Sequence, residues 1–160
     1  MIIRNATVVT PSSLTVADVQ FESGKIRKIA KKITGSDKSI DAKGKFLLPG
    51  LIDSHVHMRD FSESAKEDFF SGTSAALAGG FTSIIDMPNN SLPTVSLEAL
   101  KAKAAIAKRK ALCDYSFHFG ATEANFSEAA QAIATPGVAA LKVYMGSSTG
   151  SLLASDFASL

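Results

Sequence analysis

A chain of 160 residues with 46% hydrophobic and 20% charged residues has the composition of a folded globular protein and excludes disorder. Its 17 basic and 15 acidic residues leave a formal charge of +2, and the bases are scattered except at 25–32 and 101–110, so a nucleic-acid partner is not implied. One cysteine excludes an internal disulfide, no apolar run reaches the length of a membrane span, and the first residues lack the apolar core of a signal peptide; the cytoplasm is the expected compartment.

Short β-type runs fill the first 40 residues: Ile2-Ile3, Thr7-Val8-Val9-Thr10, Val16 to Phe21 and Lys25 to Ile29. Turn signals at Pro11-Ser12-Ser13, Ser23-Gly24 and Gly35-Ser36-Asp37 separate them and predict a small antiparallel unit. Lys25, Arg27, Lys28, Lys31 and Lys32 alternate with Ile26, Ile29 and Ile33, which reads as a solvated strand edge or turn. Asp41-Ala42-Lys43-Gly44-Lys45 reads as a linker, so residues 1–50 are assigned to the first unit and 51–160 to the second.

The second unit opens on Leu51-Ile52-Asp53-Ser54-His55-Val56-His57. Alternate residues of a strand share a face, so a buried strand here would deliver both imidazoles from its C-terminal end toward one point, as a zinc-like metal requires. Two ordinary strand-end histidines are the alternative. Asp53 could orient an imidazole or bond backbone amides.

Beyond Arg59 strands alternate with helices, the signature of βα units and a parallel sheet. A helix is expected over 66–78, stopped by Gly79-Gly80, then a strand over 81–86 that ends in the loop Met87-Pro88-Asn89-Asn90. Ser96 caps a helix reaching about Arg109, with Glu98 in its first turn. A strand at 115–120, a short helix at 127–134, a strand at 138–144 and the opening of another helix at Ser155-Asp156-Phe157 follow. Four such units form either an open α/β sheet or the first half of a (β/α)₈ barrel, which takes about 250 residues in full. The half-barrel would leave its two outermost strands with unpaired edges.

Three further groups could carry chemistry. Lys142 lies in the apolar run 138–144, where an unpaired ammonium is costly; held neutral it could act as a nucleophile, a base or a carbamate, and otherwise it snorkels to the strand end. Arg59 and Asn89 fall at the C-terminal ends of strands, where a guanidinium and an amide suit a substrate carboxylate; a surface arginine and a turn asparagine are the bland reading. His118, between Phe117 and Phe119, reads as a core or strand-end histidine, and Cys113 as structural.

These residues resemble the dihydroorotases of the amidohydrolase superfamily. The resemblance rests on Leu48-Pro49-Gly50-Leu51-Ile52-Asp53-Ser54-His55-Val56-His57-Met58-Arg59, on Lys66-Glu67-Asp68, on Ala78-Gly79-Gly80-Phe81-Thr82 and on Asp86-Met87-Pro88-Asn89-Asn90. Leu141-Lys142-Val143-Tyr144-Met145-Gly146 resembles the strand that supplies a carboxylated lysine. The H-x-H block is shared with hydantoinases and allantoinases, whereas Arg59 and the M-P-N loop look like dihydroorotase. Asp60-Phe61 departs from the Pro-Gly of many relatives.

The resemblance implies an α/β fold: the first half of a metal-dependent (β/α)₈ TIM barrel preceded by part of a small β-sandwich domain. It implies two zinc ions per complete site, one on His55 and His57, bridged by Lys142 after carboxylation by carbon dioxide. Arg59 and Asn89 would hold the carboxylate of dihydroorotate or N-carbamoyl-L-aspartate, interconverted by cyclic-amide hydrolysis in pyrimidine biosynthesis. The family's two later histidines and its catalytic aspartate belong to later strands, so these 160 residues are expected to be inactive alone and to bind little zinc. Completion by a C-terminal part or by a homo-oligomer is expected, with no nucleic-acid or membrane partner. A hydantoinase- or allantoinase-like amidase and a non-catalytic assembly partner are the alternatives.

Overall fold

The β-branched runs at the N-terminus pair into one mixed sheet in the computed structural model, which describes residues 1–35, 38–146 and 152–154. Strands β1 (Ile2–Thr10), β2 (Ser13–Glu22) and β3 (Lys25–Ala30) form antiparallel hairpins in the order β3-β2-β1. The expected linker at 41–45 joins two short strands and is bonded along β1: β4 (Ser39–Asp41) and β5 (Phe46–Leu47) both pair with β1 in parallel, so the unit is not purely antiparallel. The free edge of β1 offers a ladder of backbone groups that this segment satisfies. Ala6, Val8, Ala17 and Val19 form the buried face, while the lysine-rich β3 lies exposed at the edge. The carboxylate of buried Asp18 accepts from the amides of Asn5 and Ile33, each at 2.9 Å, and these bonds hold its pKa below the usual carboxylate value.

The chain divides into Met1–Pro49 and Gly50–Leu160, and the second unit is a parallel α/β layer. Its strands are β6 (Leu51–Val56), β7 (Phe81–Asp86), β8 (Asp114–Gly120) and β9 (Val138–Lys142), paired in chain order. Helices α1 (Phe69–Ala78), α2 (Leu97–Lys110) and α3 (Phe126–Ala132) supply the crossovers. Phe69, Ile84, Leu100, Phe117 and Phe119 make the core between helices and sheet, with Phe69 meeting Phe117 edge-on at 6.3 Å between ring centroids. Gly50 has no room for a side chain, because a Cβ there would strike Thr82 at the start of β7. The helix expected at Ser155 lies outside the described residues.

Helix α1 begins three residues later than the expected start at Lys66. Asp68 is its N-cap: the Asp68 carboxylate accepts from Ser71 N at 2.7 Å, while Ser71 Oγ accepts from Asp68 N at 3.1 Å. Lys110, the last residue of α2, donates to Asp68 at 3.0 Å and to buried Asp60 at 2.6 Å, and Asp60 also accepts from Phe69 N at 2.7 Å. The start of α1 is therefore pinned to the end of α2. Helix α2 starts as expected, with Ser96 Oγ accepting from Ala99 N at 3.1 Å.

The Ser71 amide and the Lys110 ammonium hold the Asp68 pKa at about 2, against 3.8 in an unconstrained chain. Because the folded value is the lower one, the stabilisation is complete above the unfolded value and is lost as pH falls through the folded one. Asp68→Ala should cost about 1 kcal/mol in urea unfolding at about pH 6, and the gap from wild type should narrow toward about pH 2.5. A gap independent of pH would contradict the assignment.

Candidate active site at the ends of the first two parallel strands

Strand β6 is not the buried strand that its apolar run suggested. Leu51 and Ile52 are 48% and 64% exposed, because β6 lies at one edge of the sheet and pairs only with β7 among the described residues. Its C-terminal end nevertheless carries both imidazoles to one place: the His55 and His57 rings lie 5.3 Å apart between centroids, tilted by 56°. His55 is exposed and His57 half-buried. Asp53 takes the backbone option, its carboxylate accepting from His55 N at 3.1 Å.

His57 Nδ1 lies 2.7 Å from the side-chain oxygen of Asn89. With that oxygen as acceptor, Nδ1 carries the hydrogen and the Nε2 lone pair is free to bind a metal. Burial lowers the His57 pKa below its ordinary value, against the smaller opposing effect of Asn89, so the ring is neutral near pH 7. Arg59 donates to the backbone carbonyl of Asn89 at 3.0 Å, and its guanidinium lies 3.8 Å from Glu63. Asn89 is thus buried between an imidazole and a guanidinium, with its side-chain oxygen engaged by His57.

What lies beneath this arrangement was not read from the sequence. Asp86, the last residue of β7, accepts from Met58 N at 2.7 Å and from Lys103 Nζ at 2.8 Å. Lys103 also donates to Met87 O at 2.9 Å and stands 5.7 Å from the centre of the Phe117 ring. Both charged side chains are wholly buried. Burial drives the Asp86 pKa up and the Lys103 pKa down, and their contact opposes both shifts. A signal did exist: Ala99, Lys103 and Ala107 recur every four residues, placing a lysine within a small-residue helix stripe that is buried.

Lys142 is the last residue of β9, not the middle of a buried strand. Pairing stops there, Lys142 O accepts from Ala121 N at 2.9 Å, and the half-buried ammonium stands 5.1 Å from the centre of the Tyr144 ring. It occupies the same end of the parallel sheet as the histidines, three strands away, and among the described residues no hydrogen bond or ring contact joins it to either. The Tyr144 hydroxyl is buried without a hydrogen-bond partner among the described residues; burial raises its pKa, and the charges of Arg59 and Asp86 reach it. His118 Nε2 approaches Ser54 O at 3.0 Å, so this histidine ties β8 to β6. Cys113 is half-buried and its thiol pKa is raised by burial, which disfavours a reactive thiolate.

A catalytic zinc site takes three protein ligands. Among the described residues no three His, Cys, Asp or Glu side chains gather, so His55 and His57 fit a metal as two members of a larger set. No helix among the described residues is long and apolar enough to cross a membrane.

The model of the amidohydrolase family matches residues 46–147. The chain is 41% identical over 145 residues to a dihydroorotase of Pyrococcus furiosus, covering 87% of this chain and 32% of that protein. It is 40% identical over 130 residues to an allantoinase of Desulfitobacterium hafniense, covering 80% of this chain and 29% of the allantoinase. An L-hydantoinase from Arthrobacter aurescens superposes with a TM-score of 0.90 at 28% identity, over 99% of this chain and 36% of that one. The chain therefore spans about a third of the length of the relatives it matches.

Histidine NMR titration should give His57 a midpoint below its ordinary 6.5, and Asn89→Ala should lower it further by removing the bond that favours the protonated ring. A wild-type midpoint at or above 6.5 would contradict this geometry.

Proposed function

The chain belongs to the amidohydrolase family, its parallel unit being part of that family's barrel, and we propose that it is the N-terminal portion of a dihydroorotase. The reaction assigned is the reversible hydrolysis of (S)-dihydroorotate to N-carbamoyl-L-aspartate, carried out in the cytoplasm. The observation that carries this reading is Asn89, whose side chain meets a half-buried imidazole while its backbone carbonyl holds a guanidinium. A cation fixed beside an imidazole pair suits a substrate that bears a carboxylate on the same ring as its scissile amide.

His55 and His57 would hold zinc, with Lys142 reaching it as a carbamate. The metal supplies Lewis acidity at the amide carbonyl and acidifies the attacking water. The chain's own residues do the rest of the positioning. Asn89 fixes the His57 ring so that Nε2 faces outward, and Arg59 binds the substrate carboxylate. The remaining metal ligands and the proton-transferring acid are assigned to parts of the protein beyond these residues, since the relatives are about three times as long.

The likeness to an allantoinase and a hydantoinase favours a second reading, a cyclic amidase whose substrate lacks the carboxylate. The protein at the length its gene encodes, given zinc and bicarbonate, separates the two. The first reading expects cyclisation of N-carbamoyl-L-aspartate, and Arg59→Met should raise KM for that substrate by about 10- to 100-fold, the loss of one charged hydrogen bond. Turnover of hydantoin or allantoin without dihydroorotate would replace it by the second.

A further inference from the structure

We infer that the buried Lys103–Asp86 pair is a positioning device for the candidate site, fixing the segment His57-Met58-Arg59 against the loop that follows β7. This assignment rests on the proposed function for what the segment binds, and on geometry alone for how it is held.

Every polar contact of the pair is local to the two strand ends. Asp86 takes one oxygen to Met58 N and the other to Lys103, and Lys103 sends its second bond to Met87 O. Met58 stands between the imidazole of His57 and the guanidinium of Arg59, while Met87 lies two residues before Asn89. Asn90 donates to Met58 O, so both backbone polar groups of Met58 are held by side chains from the end of β7 and the loop that follows it. Asn89 ties the same segment to the loop a second time, through His57 and Arg59.

A peptide segment anchored at its N–H and its carbonyl has little freedom in φ and ψ, and the directions of the flanking side chains follow. A residue of the core alone would not need this arrangement, because an apolar pair of similar volume fills such a space with equal or greater stability. What the charged pair adds is two directed bonds onto the segments that carry His57, Arg59 and Asn89, to Met58 N and Met87 O, and a third that locks its two members together. No hydrogen bond joins Lys103 or Asp86 to either of the first two side chains; their charges reach His57 and Arg59, and their bonds act through Met58 and Met87, which makes them positioning residues whose charge and bonds the uncharged amide pair separates.

The test compares two double variants in the protein at the length its gene encodes. Asp86→Leu with Lys103→Met keeps the space filled and deletes all three bonds; Asp86→Asn with Lys103→Gln keeps an acceptor for Met58 N and a donor for Met87 O without charge. Leu100→Ala, on the same buried face of α2, controls for lost stability alone. The readouts are cobalt(II) affinity, with His57→Gln marking the site, the imidazole nitrogen shifts of His57 in metal-free protein, and the split between KM and kcat.

The apolar pair should weaken cobalt(II) about 10- to 100-fold and move the His57 shifts, as loss of outer hydrogen bonds to a metal ligand does, and the amide pair should restore most of both. Leu100→Ala should change neither. Equal affinity and unchanged shifts in the apolar pair, or equal losses in Leu100→Ala, would overturn the inference. If the apolar pair does not fold, Asp86→Asn with Lys103→Met, which keeps the acceptor for Met58 N but lacks the donor to Met87 O and to the residue-86 side chain, is set against the amide pair with the same expectations. If wild type binds no cobalt(II) through His57, the proposed function falls, and the His57 shifts of metal-free protein still decide the positioning role.

Discussion

Two opposite charges placed wholly out of water lose about several kcal/mol of hydration each, and recover it only when their hydrogen-bonding capacity is met inside. Lys103 and Asp86 meet that condition with bonds to each other, to Met58 N and to Met87 O. The requirement is strict because removing either partner strands a buried charge. It forces α2, the end of β7 and the segment after β6 into one arrangement, and the candidate site is built from the residues that this arrangement leaves facing outward.

Helix α2 makes a second attachment two turns further on. Lys103 and Lys110 are seven residues apart, hence on one face, and each ends on aspartate: Asp86 in the first case, Asp60 and Asp68 in the second. Asp60 lies one residue past Arg59 and accepts from Phe69 N, so the segment 57–60 is tied to α2 directly by Lys110 on Asp60 and indirectly by Lys103 through Asp86 and Met58 N. Met58 packs over Gly72 of α1, where an added Cβ would strike its thioether, and this closes the remaining side. Rigidity at the site thus arises from buried polar bonds and close packing rather than from the strand itself, which pairs on one side only among the described residues.

The sequence showed the parallel βα rhythm because periods of two and of about 3.6 alternate along 51–142, and local chemistry placed the Ser96 cap correctly. Local chemistry also explains where the α1 boundary was missed, since Asp68 with Ser71 forms a capping box that starts the helix at Phe69 and leaves Lys66 and Glu67 outside it. The imidazole pair was legible from its two-residue spacing. Exposure of β6 was not, because an apolar run does not say whether its strand lies inside a sheet or at an edge. The partnership of Lys103 with Asp86 spans 17 residues and depends on how α2 crosses β7, which no local pattern encodes. The apolar run around Lys142 suggested burial for a residue that the register leaves at the strand end.

The central claim is that the ends of β6 and β7 form one preorganised metal and carboxylate site around Asn89. Crystals of the protein at the length its gene encodes, grown with zinc and measured on both sides of the zinc absorption edge, test it most directly. The account predicts an anomalous peak within bonding distance of His57 Nε2 and His55, with His57 Nδ1 still on Asn89. A peak bound elsewhere with both imidazoles unligated, or His57 turned away from Asn89, would contradict it.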